Sequence, residues 1–207
     1  MKMTELFLAE LEREAVNSRR TLERVPEGEN DWKPHPRSMA LGYLAALVAH
    51  MPSWIVAMVT RGELDLKSAD AAAFQASGEW RKRSDLLAGH DEAVAKARAA
   101  LLSTNDEHLL NPWRFVVGGH VLTENPRHVM IRDSVFSHLA HHRGQLTVYL
   151  RLNNAPVPAI YGPSADEGIF PQTARDTRLA SRTSNGPDFR RNPEFVQRLL
   201  LLCDALG

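Results

Sequence analysis

The 207-residue chain has one cysteine, Cys203, so no internal disulfide can form, and a reducing cytoplasmic setting is expected. Cys203 sits in the apolar run Leu199-Leu200-Leu201-Leu202-Cys203, which reads as core packing rather than the surroundings of a nucleophile. An excess of charge is missing too: 25 Lys and Arg balance 25 Asp and Glu, and no basic block occurs. A broad nucleic-acid footprint is therefore not expected. A signal peptide is not suggested, because acidic residues appear from Glu5 onward where a basic and then apolar order would be needed. Long apolar stretches are scarce. Leu41 to Val59 carries no Lys, Arg, Asp or Glu and is about long enough to span a bilayer. It also holds His50, Pro52, Ser53 and several alanines, and nothing else resembles a span, so it reads as the central helix of a bundle and no membrane partner is expected.

Histidine is what the chain has in concentration. Three of its nine histidines fall within Ser137-His138-Leu139-Ala140-His141-His142-Arg143-Gly144-Gln145, inside a segment that reads as a long helix. Residues four apart share a helix face, so His138 and His142 stand one turn apart with both rings on one side. That spacing allows two imidazoles to reach one metal ion, at about 2.0–2.1 Å each for zinc. The remaining positions on the face are Ile131, Val135, Gln145 and Tyr149, and they offer few polar partners for two buried imidazoles. Leu139 stands where the HExxH motif places its glutamate base, so this is not a zincin protease site. His141 is turned roughly 60° from His138 and reads as surface or contact. Arg143 points off the metal face as a salt-bridge or interface residue.

Along the chain, residues 3–24 form an amphipathic helix whose stripe is Phe7, Leu8, Leu11, Ala15, Ser18 and Leu22, with Glu10, Glu12, Arg13 and Arg20 elsewhere. Pro34 and Pro36 hold Trp32-Lys33-Pro34-His35-Pro36 extended, with His35 as a loop contact. A second helix follows Ser38, its expected N-cap, and runs towards residue 60 with a kink at Pro52. His50 lies just before the kink. Residues 63–80 read as loop with short helical turns, and a third helix covers about 83–103. Gly118-Gly119, between Trp113-Arg114-Phe115-Val116-Val117 and His120-Val121-Leu122, signals a short hairpin that is local decoration, with His120 exposed. A fourth helix opens at Pro126, carries the histidines and ends at about Leu152. Beyond Asn153-Asn154-Ala155-Pro156 the chain is irregular to about 191, and a short helix covers about 193–205. The expected domains are 1–168 and a C-terminal appendage, 169–207.

Four long helices, WKPHPRSMALGYLAALVAHMPSW from Trp32 to Trp54, and HLAHHRGQ from His138 to Gln145 resemble the DinB/YfiT-like superfamily of metalloenzymes. Tyr161-Gly162-Pro163-Ser164-Ala165-Asp166-Glu167 is similar to one branch of it, and the likeness covers roughly residues 3–168. The resemblance implies an all-α four-helix bundle, a homodimer, and a divalent metal, nickel or zinc, held by three histidines. His138 and His142 match the pair on the fourth helix. On the second helix, the matching position is Leu47, and His50 lies three residues later. Two alternatives follow: His50 replaces the usual ligand, which is the reading adopted, or the site has lost its third ligand and binds metal weakly.

A three-histidine metal with an open position lowers the pKa of a bound water or thiol. Superfamily members include thiol-dependent transferases and isomerases. The expected function is thus a metal-dependent enzyme in which His50, His138 and His142 hold the ion. It would act on a small molecule with a low-molecular-weight thiol or water, and Gln145 would orient a ligand or bond a metal-bound water. The alternative is a non-catalytic stress-response or interaction module with structural histidines. Asp133 and Asp166 are acidic residues that spacing alone does not place in the pocket.

Overall fold

A computed structural model of the chain describes residues 2–68, 71, 80 and 82–168. The chain divides into two compact units, Met1–Glu167 and Gly168–Gly207. The helix expected at 193–205 and Cys203 lie outside the described residues.

Helix α1 (Met3–Leu22) buries Phe7, Leu11, Ser18 and Leu22 along its expected stripe. Its first-turn amides need acceptors. The Asp106 carboxylate supplies them, taking the N–H of Met3 at 2.9 Å and of Thr4 at 3.2 Å. Glu10, expected on the outer side, is buried and ion-paired with Arg132. Helix α2 (Leu41–His50) gives way at Pro52 to a 3₁₀ turn, Met51–Ser53, and then to α3 (Trp54–Thr60). The N-cap is Ala40 rather than Ser38. The Trp32 and Asn30 carbonyls take the N–H of Leu41 and Gly42, both at 2.9 Å, which makes a side-chain cap unnecessary. Gly42 is required by this close approach, since an added Cβ would lie 2.9 Å from Asn30 Cβ. Leu41–Thr60 is apolar enough to cross a membrane, yet 72% of its most apolar window is buried inside the protein, as in a core helix.

Helix α4 (Arg83–Leu102) packs on α1, α2 and α3, and a short α5 (Asp106–Leu110) follows. The α5 N-cap is Asn105, whose side chain accepts from the His108 N–H at 2.8 Å. This helix, not expected from the sequence, is too short to show a period. Strand β2 (Pro112–Val117) pairs antiparallel with β3 (His120–Pro126) and parallel with β1 (Glu63–Asp65). The all-α expectation is corrected: the protein is mostly helical with a three-stranded sheet ordered β1-β2-β3. Three residues are too few for an alternation to mark β1. What docks it is Asp65, whose carboxylate accepts the N–H of Gly118 at 2.8 Å and of Gly119 at 2.9 Å. Those glycines turn at φ +57° and +82°, where a side chain would be strained. The hairpin is longer than expected and is not mere decoration, because Trp113 is fully buried beneath it.

The fourth long helical stretch comprises α6 (Arg127–Ile131), a π-helical segment (Arg132–Ser137) and α7 (His138–Leu152). It ends at Asn154, which takes φ +56°. The following residues, expected to be irregular, are fixed by charge. Glu167 pairs with Arg20 and Arg24 of the α1 end and accepts the Ala159 N–H at 2.9 Å. Asp166 pairs with Arg151 and accepts the Val157 N–H at 2.8 Å. Asp166 is thereby structural.

Candidate functional site

The π segment ends at Ser137, so the extra residue per turn is absorbed immediately before His138. Such segments recur beside functional sites. His138 Nε2 and His142 Nε2 lie 2.8 Å apart. His142 Nδ1 lies 2.8 Å from Gln145 Oε1. The Trp54 ring packs against His138 at 5.8 Å between centroids. Of the predicted residues, the fold therefore brings His138, His142 and Gln145 into one line.

The proton complement of that line follows from its acceptors. Gln145 Oε1 can only accept, so His142 carries Nδ1–H and offers the lone pair of Nε2. His138 Nε2–H donates to it. The backbone of Ser134, one turn back, favours the charged His138 ring, as a carbonyl accepting from its other nitrogen does. Every partner is thus satisfied when the pair holds one extra proton. Burial opposes that charge. It pushes His138 below the ordinary imidazole range, with the neighbouring His142 adding to the effect. Burial likewise pushes His142 down, against the Gln145 bond. The pair is neutral near pH 7 and built to accept a single proton.

His138 also lines a cavity of about 400 Å³. Its wall comes from α2 and α3 (Tyr43, Leu47, Trp54, Met58), the sheet (Leu64, Trp113, Phe115, Thr123) and the helix before α7 (Met130, Ser134), with Leu66 at the edge. His142 stands behind His138, and Gln145 behind His142. The sheet residues of this wall were not identified from sequence. Trp113 and Phe115, two apart on one strand, were the available signal.

His50 does not join the pair. Its Nε2 lies 3.2 Å from Ser53 Oγ. Leu47, with Tyr43, is the part of α2 that shares the cavity wall with His138. Among the described residues, no three His, Cys, Asp or Glu side chains group as metal ligands do. The donor set at the pair is two imidazole nitrogens facing an apolar wall, so a three-histidine ion does not fit the residues present.

The other histidines are exposed or structural. His35, His120 and His141 are exposed. His108 Nε2 meets the Val59 carbonyl at 2.8 Å, and His128 Nδ1 meets that of Leu109 at 3.1 Å. His90, buried on α4, has Nδ1 3.3 Å from the Ala49 carbonyl and Nε2 3.1 Å from that of Ala15. Two acceptors would suit a charged ring, but burial outweighs them and lowers its pKa, with Asp91 opposing and Arg19 assisting. A lowered folded value means the unfolded ring protonates first. Stability is therefore full above about pH 6.5 and falls as pH drops through that value. Urea denaturation at pH 7.5 and 5.5 should show this loss, and His90→Gln should flatten the difference.

No protein-family model and no curated protein matches the chain. Solved structures do. A DinB-like protein from Bacillus cereus superposes with a TM-score of 0.58 at 20% identity, over 76% of this chain and 97% of that one. A DinB-like protein from Bacillus subtilis gives 0.55 at 16% identity, over 79% and 98%. A mycothiol-dependent maleylpyruvate isomerase aligns at 0.47 and 14% identity, over 74% and 62%, too loosely to bear on this chain. The two tighter superpositions cover nearly the whole of their partners, and the chain has the DinB-like fold that its sequence resembles.

Proposed function

We propose that this protein transforms a small molecule by proton transfer, in which substrate takes the place of one of the two protein partners of the His138 ring and His138 serves as the general acid and base at the cavity wall. His142 and Gln145 are its positioning residues. The observation that carries the reading is the line Gln145–His142–His138 ending at an apolar cavity. An acceptor that fixes one imidazole, which in turn fixes a second, follows the base-and-orienter logic of activated sites. A base neutral at pH 7 is suited to taking a proton from a bound water or thiol, and such catalysis contributes about 10²–10⁴-fold.

A second reading keeps the metal. It is favoured by the convergence of both Nε2 atoms while Gln145 holds His142 from behind, an arrangement typical of metal-binding histidines. In it, the pair holds nickel or zinc, and the ion would supply activation of a low-molecular-weight thiol or water.

Hydrolysis of p-nitrophenyl acetate separates these readings. The first expects turnover above buffer that EDTA leaves unchanged and that falls by about 10² or more in His138→Gln. The second expects turnover that EDTA abolishes and added nickel or zinc restores. Wild-type activity no greater than that of His138→Gln would leave the non-catalytic module standing and end the enzyme proposal.

A further inference from the structure

Helices seldom keep a π turn, yet Arg132–Ser137 is one, directly before His138. The turn redirects a hydrogen bond. In an α-helix the His138 N–H would bond to the Ser134 carbonyl, four residues back. Here it reaches the Asp133 carbonyl, five residues back, and that of Val135. The Ser134 carbonyl is spared by that N–H, and the His138 ring takes it instead. The turn also shifts the phase of the helix. Met130, Ser134 and His138, at intervals of four, all line the cavity. Over eight α-helical residues Met130 and His138 would diverge by about 80°, and one residue absorbed in a wider turn cuts this to roughly 20°.

Helix α1 grips the turn from outside the cavity. Arg132 and Phe136, four apart on the π segment, meet Glu10 and Phe7, three apart on α1. The Arg132 guanidinium pairs with both oxygens of the Glu10 carboxylate, which is 9% exposed. The Phe136 ring stacks on Phe7 at 5.8 Å between centroids. Among the described residues that line the cavity, none belongs to α1.

We infer that Glu10 is a positioning residue for His138: through Arg132 it holds the π turn that leaves the Ser134 carbonyl to the His138 ring and keeps Met130, Ser134 and His138 on one wall. Its effect on the helix register stands on the contacts alone. Its effect on turnover rests on the proton-transfer reading.

The test reads the register and the turnover of the full chain separately. In ¹⁵N,¹³C-labelled wild type, scalar coupling across the hydrogen bond should join the His138 amide nitrogen to the Asp133 carbonyl carbon. In Glu10→Lys, which sets like charges together, the coupling should move to the Ser134 carbonyl carbon. There, kcat for p-nitrophenyl acetate should fall about tenfold or more with KM within about twofold, as displacement of a reacting group does. Adding Arg132→Glu rebuilds the pair with its signs exchanged and should restore both readouts. Glu10→Gln, which keeps the shape and removes only the charge, should move both in the same direction by less. Absence of coupling to Asp133 in wild type, a coupling that neither Glu10 variant moves, or a moved coupling with kcat unchanged would overturn the inference. A wild type without esterase activity whose coupling still follows Glu10 would sink the proton-transfer reading and leave the placement of His138 standing. An active wild type whose coupling ignores Glu10 would sink only this inference.

Discussion

Replacing Arg143 with methionine is expected to cost about 3–5 kcal/mol of folding stability, the range for stranding one partner of a buried ion pair. Arg143 is 1% exposed and lies between α7 and α1. Its guanidinium donates to the Glu14 carbonyl at 3.2 Å, to Ser18 Oγ at 3.0 Å and to Glu14 Oε2 at 2.5 Å, and it also reaches the Tyr161 hydroxyl. Tyr161 in turn donates to Glu14 Oε2 at 2.5 Å. Burial pushes the Glu14 carboxyl up, but the Tyr161 hydroxyl and Arg143 outweigh it and hold it below the ordinary range. A lowered folded value contributes stability above the unfolded pKa that is lost as pH falls. Arg143→Met removes the cation and leaves Glu14 buried against Tyr161 and the exposed Arg13. Urea denaturation at pH 7 should show the full loss, and Arg143→Met with Glu14→Leu should recover most of it. A single-variant cost below about 1 kcal/mol would place the pair in the weak, solvated class.

Leu47→His is expected to turn a poor metal site into a strong one. Leu47 and His138 share the cavity wall, so an imidazole at 47 would face the pair from the neighbouring helix. Structural zinc contributes about 10–16 kcal/mol over four ligands, so one added histidine should raise zinc affinity on the order of a hundredfold or more. Competition with a chromophoric chelator reads that change. His50→Ala should leave it untouched in both backgrounds, because the His50 ring lies against Ser53 Oγ. If His50→Ala weakened zinc binding as much as His138→Ala, His50 would return to the ligand set.

Much of this was legible before the fold was known. The α1 stripe, the break at Pro52, the end of α7 at Asn153-Asn154 and the shared face of His138 and His142 all depend on local periodicity or backbone chemistry. Local signals fix such features. The misplaced features depend on rotation or on distant partners. Spacing could not choose between Leu47 and His50, because the rotation of α2 against α7 is set by packing, not by spacing along α2. Glu10 and Glu14 look like surface residues on a helical wheel until Arg132 and Arg143, more than a hundred residues away, are brought beside them. Strand β1 has no period of its own and exists because Asp65 docks on Gly118 and Gly119. The cavity wall was illegible for the same reason: Trp113 meets the helices only once the sheet folds over them.

Histidine-selective ¹⁵N spectra of untagged wild-type protein, recorded from pH 5 to 8, test the two-imidazole centre most directly. His138 and His142 should titrate as one unit that takes up a single proton below about pH 6.5, because two charges cannot share a 2.8 Å contact. His142→Gln should abolish the coupling while His50→Ala leaves it intact. Two independent titrations near the ordinary imidazole value, indifferent to each other's removal, would contradict the account and leave the histidines as separate surface groups.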